Sequence, residues 1–129
     1  MTKVILITGA SSAIGKETAK TLIAAGHCVY AAARRIEKMD DLVKLGAKSI
    51  KMDITVDTDI VNAVNTVLEE EGRIDVLVNN AGYAIYGAME DTTLEDARRQ
   101  FEVNIFGLAR VTQLVLPNMR KQNSGISIN

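Results

Sequence analysis

The chain has 129 residues, 47% hydrophobic and 24% charged, a balance suited to one soluble globular domain spanning 1–129. Its 15 basic and 16 acidic residues leave a formal charge of −1, which argues against broad attraction to nucleic acid or an anionic membrane and favours a small neutral or anionic ligand. No apolar run reaches the roughly 18 residues of a membrane span, and a single cysteine excludes an internal disulfide, so the reading is a cytoplasmic protein.

Short apolar runs alternate with longer segments of helical period, the pattern of an α/β fold. Lys3 to Thr8 is the first expected strand, because Val4, Ile5, Leu6 and Ile7 form an unbroken apolar run of the kind parallel sheets bury on both faces. Gly9 breaks it. From Ile14 to Ala25, apolar Ile14, Ala19, Leu22, Ile23 and Ala25 recur near helical spacing, and Gly26 supplies a stop. His27, the single histidine, falls in the next turn without partners for general-base or metal chemistry. Cys28 to Ala33 is the second strand, and its apolar setting makes Cys28 a buried structural thiol rather than a reactive one. A short helix around Met39, Leu42 and Val43 ends at Gly46, and Lys48 to Asp53 makes a weaker third strand.

Ile60, Val61, Val64, Val67 and Leu68 then mark one face of a helix whose other face carries Asn62, Asn65, Glu69 and Glu70, closed by Gly72. Ile74 to Val78 is the fourth strand. A long helix begins at Thr93, an N-cap with Asp96 three residues on, and runs past Phe101, Ile105, Leu108, Val111 and Val115 to about Gln122. A kink or frayed turn is expected near Pro117. Gln122 to Gly125 is a turn, and Ile126 to Asn129 begins a fifth strand that the chain end is expected to cut short.

Parallel strands joined by helices give a sheet covered on both faces, with a probable order 3-2-1-4-5. Ligands bind such sheets outside the carboxyl ends of the strands, where the order reverses. Those ends carry Thr8-Gly9-Ala10-Ser11-Ser12, Arg34-Arg35, Asp53 and Asn79-Asn80-Ala81-Gly82, so polar and glycine chemistry gathers along one edge. The segment from Thr8 to Gly15 joins a strand to a helix. Backbone N–H groups and the helix dipole there stabilise an anion without a cationic side chain, Gly9 permitting the tight turn and Gly15 close packing on the sheet. Taken alone, two glycines suit an ordinary loop of small residues equally well.

Together these segments resemble the short-chain dehydrogenase/reductase family. Thr8 to Gly15 is similar to its Thr-Gly-x-x-x-Gly-x-Gly fingerprint, Asn79-Asn80-Ala81-Gly82 to its second motif, Asn104 to its helix asparagine, and Gly125 to Asn129 to the start of the strand leading to its catalytic serine. The resemblance covers the whole chain and implies a Rossmann-like three-layer α/β/α fold. It also implies that Gly9, Ser11, Ser12, Ile14 and Gly15 surround the pyrophosphate and adenosine ribose of a dinucleotide, that Asp53 meets the adenine, and that Asn80, Ala81 and Gly82 line the cofactor. Ala13 departs from the fingerprint, standing where the family has its middle glycine. Were its φ positive, alanine would cost on the order of 1–2 kcal/mol; were φ negative, little.

NAD-selective sites of this kind place an acid at the end of strand two, whereas this chain has Arg34 and Arg35, whose guanidinium groups pair with a 2′-phosphate. NADP(H) is therefore the expected cofactor, against the alternative that both arginines are merely solvated. Asn104 reads either as a satisfied buried amide or, by the resemblance, as the holder of a proton-relay water and the sole member of the family's catalytic tetrad present. Asn79 is expected to bridge backbone groups of neighbouring strands. The family's chemistry also needs Tyr-x-x-x-Lys, yet Arg34, Gly87 and Glu90 stand four residues after Tyr30, Tyr83 and Tyr86. The expectation is thus the front half of a carbonyl-reducing or alcohol-oxidising enzyme, inactive by itself, with no metal site. The alternative is a non-catalytic nucleotide-binding or structural module. An uncovered sheet edge and the apolar faces of the long helix predict a homo-oligomer.

Overall fold

The computed structural model describes residues 1–11 and 13–129. Five parallel strands, β1 (Val4–Thr8), β2 (Cys28–Ala33), β3 (Lys48–Lys51), β4 (Val76–Val78) and β5 (Ile126–Ile128), form one sheet in the order β3-β2-β1-β4-β5. The apolar run of β1 works because strand residues alternate between faces. Val4 and Leu6 enter a core with Ile60, Val64 and Val67 of α3 (Asp57–Glu71) and Val111, Val115 and Met119 of α5 (Leu108–Gln122). Ile5 and Ile7 enter the other core, with Ala19 of α1 (Ala13–Ala24), Leu42 of α2 (Asp40–Lys44) and Met39 of the 3-10 turn before it. Each fully buried aliphatic chain contributes about 1.5–3 kcal/mol to such a layer, and this three-layer Rossmann-like arrangement holds the carboxyl ends of the strands along one rim.

Local signals account for several boundaries. Gly72 ends α3 at φ 75°, where a glycine has no Cβ penalty. Thr93 caps α4 (Leu94–Phe101), its Oγ1 accepting from Asp96 N at 3.0 Å. Asn123 closes α5 at φ 57°. Cys28 is half-buried rather than buried; its Sγ donates to Glu71 Oε1 at 3.6 Å, and burial followed by the Glu71 charge pushes the thiol pKa up. His27 Nδ1 accepts from Lys3 N at 3.1 Å beside the start of β1.

The long helix departs from expectation. Between α4 and α5, Glu102–Gly107 forms a π segment, while the helix continues through Pro117 to Gln122. The interruption lies where a glycine meets the turn after β3: a Cβ on Gly107 would stand 2.7 Å from Ile54 Cγ1 and 2.9 Å from Ile54 O. Buried residues recur every four positions at Val103, Gly107, Val111, Val115 and Met119, a spacing slightly longer than the α-helical repeat, and the wider i→i+5 turn absorbs part of the drift. The same buried row carries the helix across Pro117, whose missing N–H is the local cost. None of the described helices is long and apolar enough to cross a membrane.

Candidate functional site

The rim is assembled by fastening the β1 turn to the β4 turn. Thr8, fully buried, accepts at Oγ1 from Asn80 N at 3.1 Å and Ala81 N at 3.0 Å. Asn80 answers by donating from Nδ2 to Gly9 O at 3.0 Å. Gly9 adopts φ 65°, and a Cβ there would stand 2.7 Å from Ala81 Cα, so the left-handed turn and the close backbone approach both require glycine. A Cβ on Gly15 would collide with Asn80 Nδ2 and Gly9 O. Gly15 thus lies beneath the cleft, letting the start of α1 rest on the fastening.

Asn104, in the π segment, holds the continuation of the β4 turn. Its Oδ1 accepts from Tyr83 N at 3.0 Å and its Nδ2 donates to Tyr83 O at 2.7 Å, a two-point grip on the main chain of one residue. The side chain is therefore a satisfied amide, and Asn104 is absent from the cleft lining and reaches it through Tyr83. Asn79 corrects another expectation. Its Nδ2 donates to side chains, Thr112 Oγ1 at 3.1 Å and Asn129 Oδ1 at 2.9 Å, rather than to strand backbone. The neighbouring strand is already joined by a main-chain bond, Asn79 N to Ile128 O at 2.7 Å, leaving the side chain free to reach α5.

Above these turns opens a cleft of about 690 Å³, within the range of small-molecule sites. One wall is Gly9, Ser11, Ala13 and Ile14; Arg34, Arg35 and Lys38 follow from the end of β2; Asp53 and its apolar neighbours Met52 and Ile54 from the end of β3; and Asn80, Ala81, Gly82 and Tyr83 from the β4 turn. Arg99 and Val103 complete it from the long helix. Of the residues singled out in the sequence, Gly9, Ser11, Ile14, Arg34, Arg35, Asp53, Asn80, Ala81 and Gly82 come together here, whereas Ser12 lies outside the described residues. Ala13 stands at φ 50°, so the costly branch of the reading applies.

Sequence reasoning placed Thr8 in the fingerprint without its fastening role, and missed Lys38, Tyr83 and Arg99 as cleft residues. Lys38 follows the paired arginines in the 3-10 turn, close enough in sequence to have been included. Arg99 carried no such signal.

Asp53 is held in place. Its Oδ1 accepts from Thr55 N at 2.9 Å and Thr55 Oγ1 at 2.7 Å, while its own N–H donates to Asp59 Oδ2 at 2.9 Å. Burial works to raise the carboxyl pKa, but the two Thr55 bonds together with the charges of Arg34 and Arg99 outweigh it and hold the group below the usual carboxylate range. Asp53 is thus an acceptor at neutral pH. The cleft joins a helix start suited to an anion, an ionised acceptor, and exposed cations at its mouth; this arrangement can grip a phosphorylated, amine-bearing molecule.

A family model described as short chain dehydrogenase matches residues 3–129. A 3-ketodihydrosphingosine reductase of Bacteroides thetaiotaomicron is 41% identical over 127 residues, covering 98% of this chain and 46% of that protein. A short-chain dehydrogenase from Streptomyces avermitilis superposes with a TM-score of 0.95 at 45% identity, covering 98% of this chain and 48% of its own. An alcohol dehydrogenase from Thermococcus sibiricus, solved with 5-hydroxy-NADP, has a TM-score of 0.92 at 26% identity over 98% of this chain and 57% of its own. A 3-ketoacyl-(acyl-carrier-protein) reductase from Brucella melitensis, solved with NADH, has a TM-score of 0.89 at 31% identity over 93% and 51%. The chain spans about half the length of the relatives it matches.

Proposed function

The chain belongs to the short-chain dehydrogenase family, and on that premise we propose that it is the NADP(H)-binding portion of an oxidoreductase interconverting carbonyl and alcohol groups. The observation that carries the reading is the convergence of the β1 turn, the paired arginines and the double-asparagine turn on one cleft. Solved relatives with nicotinamide dinucleotides support the cofactor class.

The residues fit the group. The N–H groups at the start of α1 meet the pyrophosphate, favoured by the helix dipole, with Gly9 keeping the turn tight and Ser11 and Ile14 at its mouth. Asp53 accepts from the adenine amine, and Asn80, Ala81 and Gly82 line the path toward the nicotinamide. NADP(H) is preferred because β2 ends in Arg34 and Arg35 rather than an acid: a guanidinium pairs with a 2′-phosphate that a carboxylate would repel. Neither arginine is ion-paired among the described residues. The bound cofactor supplies the hydride chemistry. Asn104 shapes the cleft by fixing the main chain of its lining residue Tyr83.

These 129 residues contain no Tyr-x-x-x-Lys pair to move the substrate proton, so the chain alone binds without turning over. Titration with NADPH followed by an assay on a panel of ketones and aldehydes tests this. Saturable binding without turnover is expected; no binding at millimolar NADPH, or turnover above the buffer rate, refutes it.

A second reading, a self-associating module, is favoured by Phe101, Ile105 and Phe106, which are 55%, 50% and 58% exposed. Light scattering is expected to show an oligomer, and a monodisperse monomer counts against it.

A further inference from the structure

The cations of the cleft come from both faces of the sheet. Lys38 sits in the 3-10 turn whose Met39 is buried in the core of α1 and α2, with Arg34 and Arg35 just before it. Arg99 sits on α4, which leads into Val103 in the opposite core with Met52 and Ile54. Arg99 is exposed, lines the cleft and has no carboxylate within ion-pairing distance among the described residues.

Arg99 shares its end of the cleft with two kinds of chemistry. Met52, Ile54 and Val103 are nearly buried and apolar, yet each contributes to the lining. Beside them Asp53 spends Oδ1 on Thr55, while Oδ2 has no protein hydrogen bond among the described residues. An apolar slot with a fixed free acceptor suits a flat heterocycle bearing an amine. A planar, weakly hydrated guanidinium over such a slot is suited to stacking on the ring's open face, which an ammonium cannot reproduce.

We propose that Arg99 is a positioning residue for the adenine ring, its guanidinium plane closing the slot formed by Met52, Ile54 and Val103. The inference rests on the reading of the cleft as a dinucleotide site and adds a division of labour to it. Arg34 and Arg35 read the 2′-phosphate, whereas Arg99 grips what NADP(H) and NAD(H) share.

The test titrates the parent chain and the Arg99→Met and Arg99→Lys variants with NADPH and NADH. Arg99→Met is expected to weaken both dinucleotides by the same factor, roughly five- to tenfold, and Arg99→Lys to recover little of the loss because it restores charge without the plane. The melting temperature should stay that of the parent, since the side chain is exposed. Loss confined to NADPH, full recovery with lysine, or unchanged binding by Arg99→Met overturns the proposal. A parent chain that binds neither dinucleotide sinks the cofactor reading, and this inference with it, and is seen before any variant is compared.

Discussion

Replacing Ala13 by glycine should make the protein more stable, and the size of the gain follows from one dihedral angle. Ala13 opens α1 at φ 50°. An L-residue with a Cβ loses on the order of 1–2 kcal/mol in that region. Glycine removes the penalty but adds roughly 0.5–1 kcal/mol of backbone entropy to be lost on folding. The difference is a net stabilisation centred on about 0.75 kcal/mol within a span of roughly 0–1.5, equivalent to a rise of roughly 3 °C in melting temperature for a domain of this size. Urea and thermal unfolding of parent and Ala13→Gly measure it, with Ala13→Val as the opposite control, since a branched side chain at positive φ should be worse than alanine. Calorimetric titration with NADPH then separates strain from crowding. Ala13 lines the cleft, so if its methyl obstructs the phosphate, affinity rises up to about tenfold in the glycine variant; if the effect is backbone strain common to free and bound states, stability rises and affinity stays level. An Ala13→Gly protein less stable than the parent, or an Ala13→Val protein as stable as it, refutes the left-handed geometry on which the reasoning rests.

Substituting Arg34 and Arg35 together by methionine should reduce NADPH affinity by roughly 10- to 100-fold, the loss expected for charge-assisted hydrogen bonds, and leave NADH affinity nearly unchanged, as read by fluorescence titration. Asn104→Ala frees the main-chain N–H and C=O of Tyr83; a part-buried site of this kind should lose about 1–2 kcal/mol in urea unfolding, with NADPH binding weakened as the β4 turn loosens. At the other end of β2, Tyr30 hydrogen-bonds Glu70 and Glu71, and Lys48 lies 3.4 and 3.3 Å from their carboxylates. The Tyr30 hydroxyl first, and Lys48 with it, hold both carboxyls below their usual range. A depressed folded-state pKa gives stability that is present above the unfolded value and lost as pH falls through the folded one. The urea midpoint should therefore decline on acidification below the ordinary carboxylate range, and Tyr30→Phe should flatten that decline; an unchanged slope would show that the network does not couple to folding.

Much of the fold was legible because burial on a parallel sheet leaves a local record. The unbroken apolar run of β1, the heptad-like face of α3 and the glycines at 9 and 72 each state a backbone requirement within a few residues. Most of the cleft's polar rim was legible for the same reason, the ends of β1, β2 and β4 being read where their apolar runs stopped; β3, Lys-Ser-Ile-Lys, has no such run and ends at Lys51, two residues before the expected Asp53. The π segment had only a faint trace, the four-residue recurrence from Val103 to Met119, which a search for ordinary helical spacing absorbs without notice.

What composition, periodicity and motif spacing determined here was the order of elements and the residues at the strand ends, because those depend on short-range alternation between water and core. Tertiary structure alone decided that Thr8 fastens two distant turns, that Asn79 finds Thr112 and Asn129, and that Arg99 lines the same cleft as Asp53. Each of these depends on which strands and helices lie side by side in the fold, and a polar side chain on an amphipathic helix has the same local pattern whether it faces open water or a ligand.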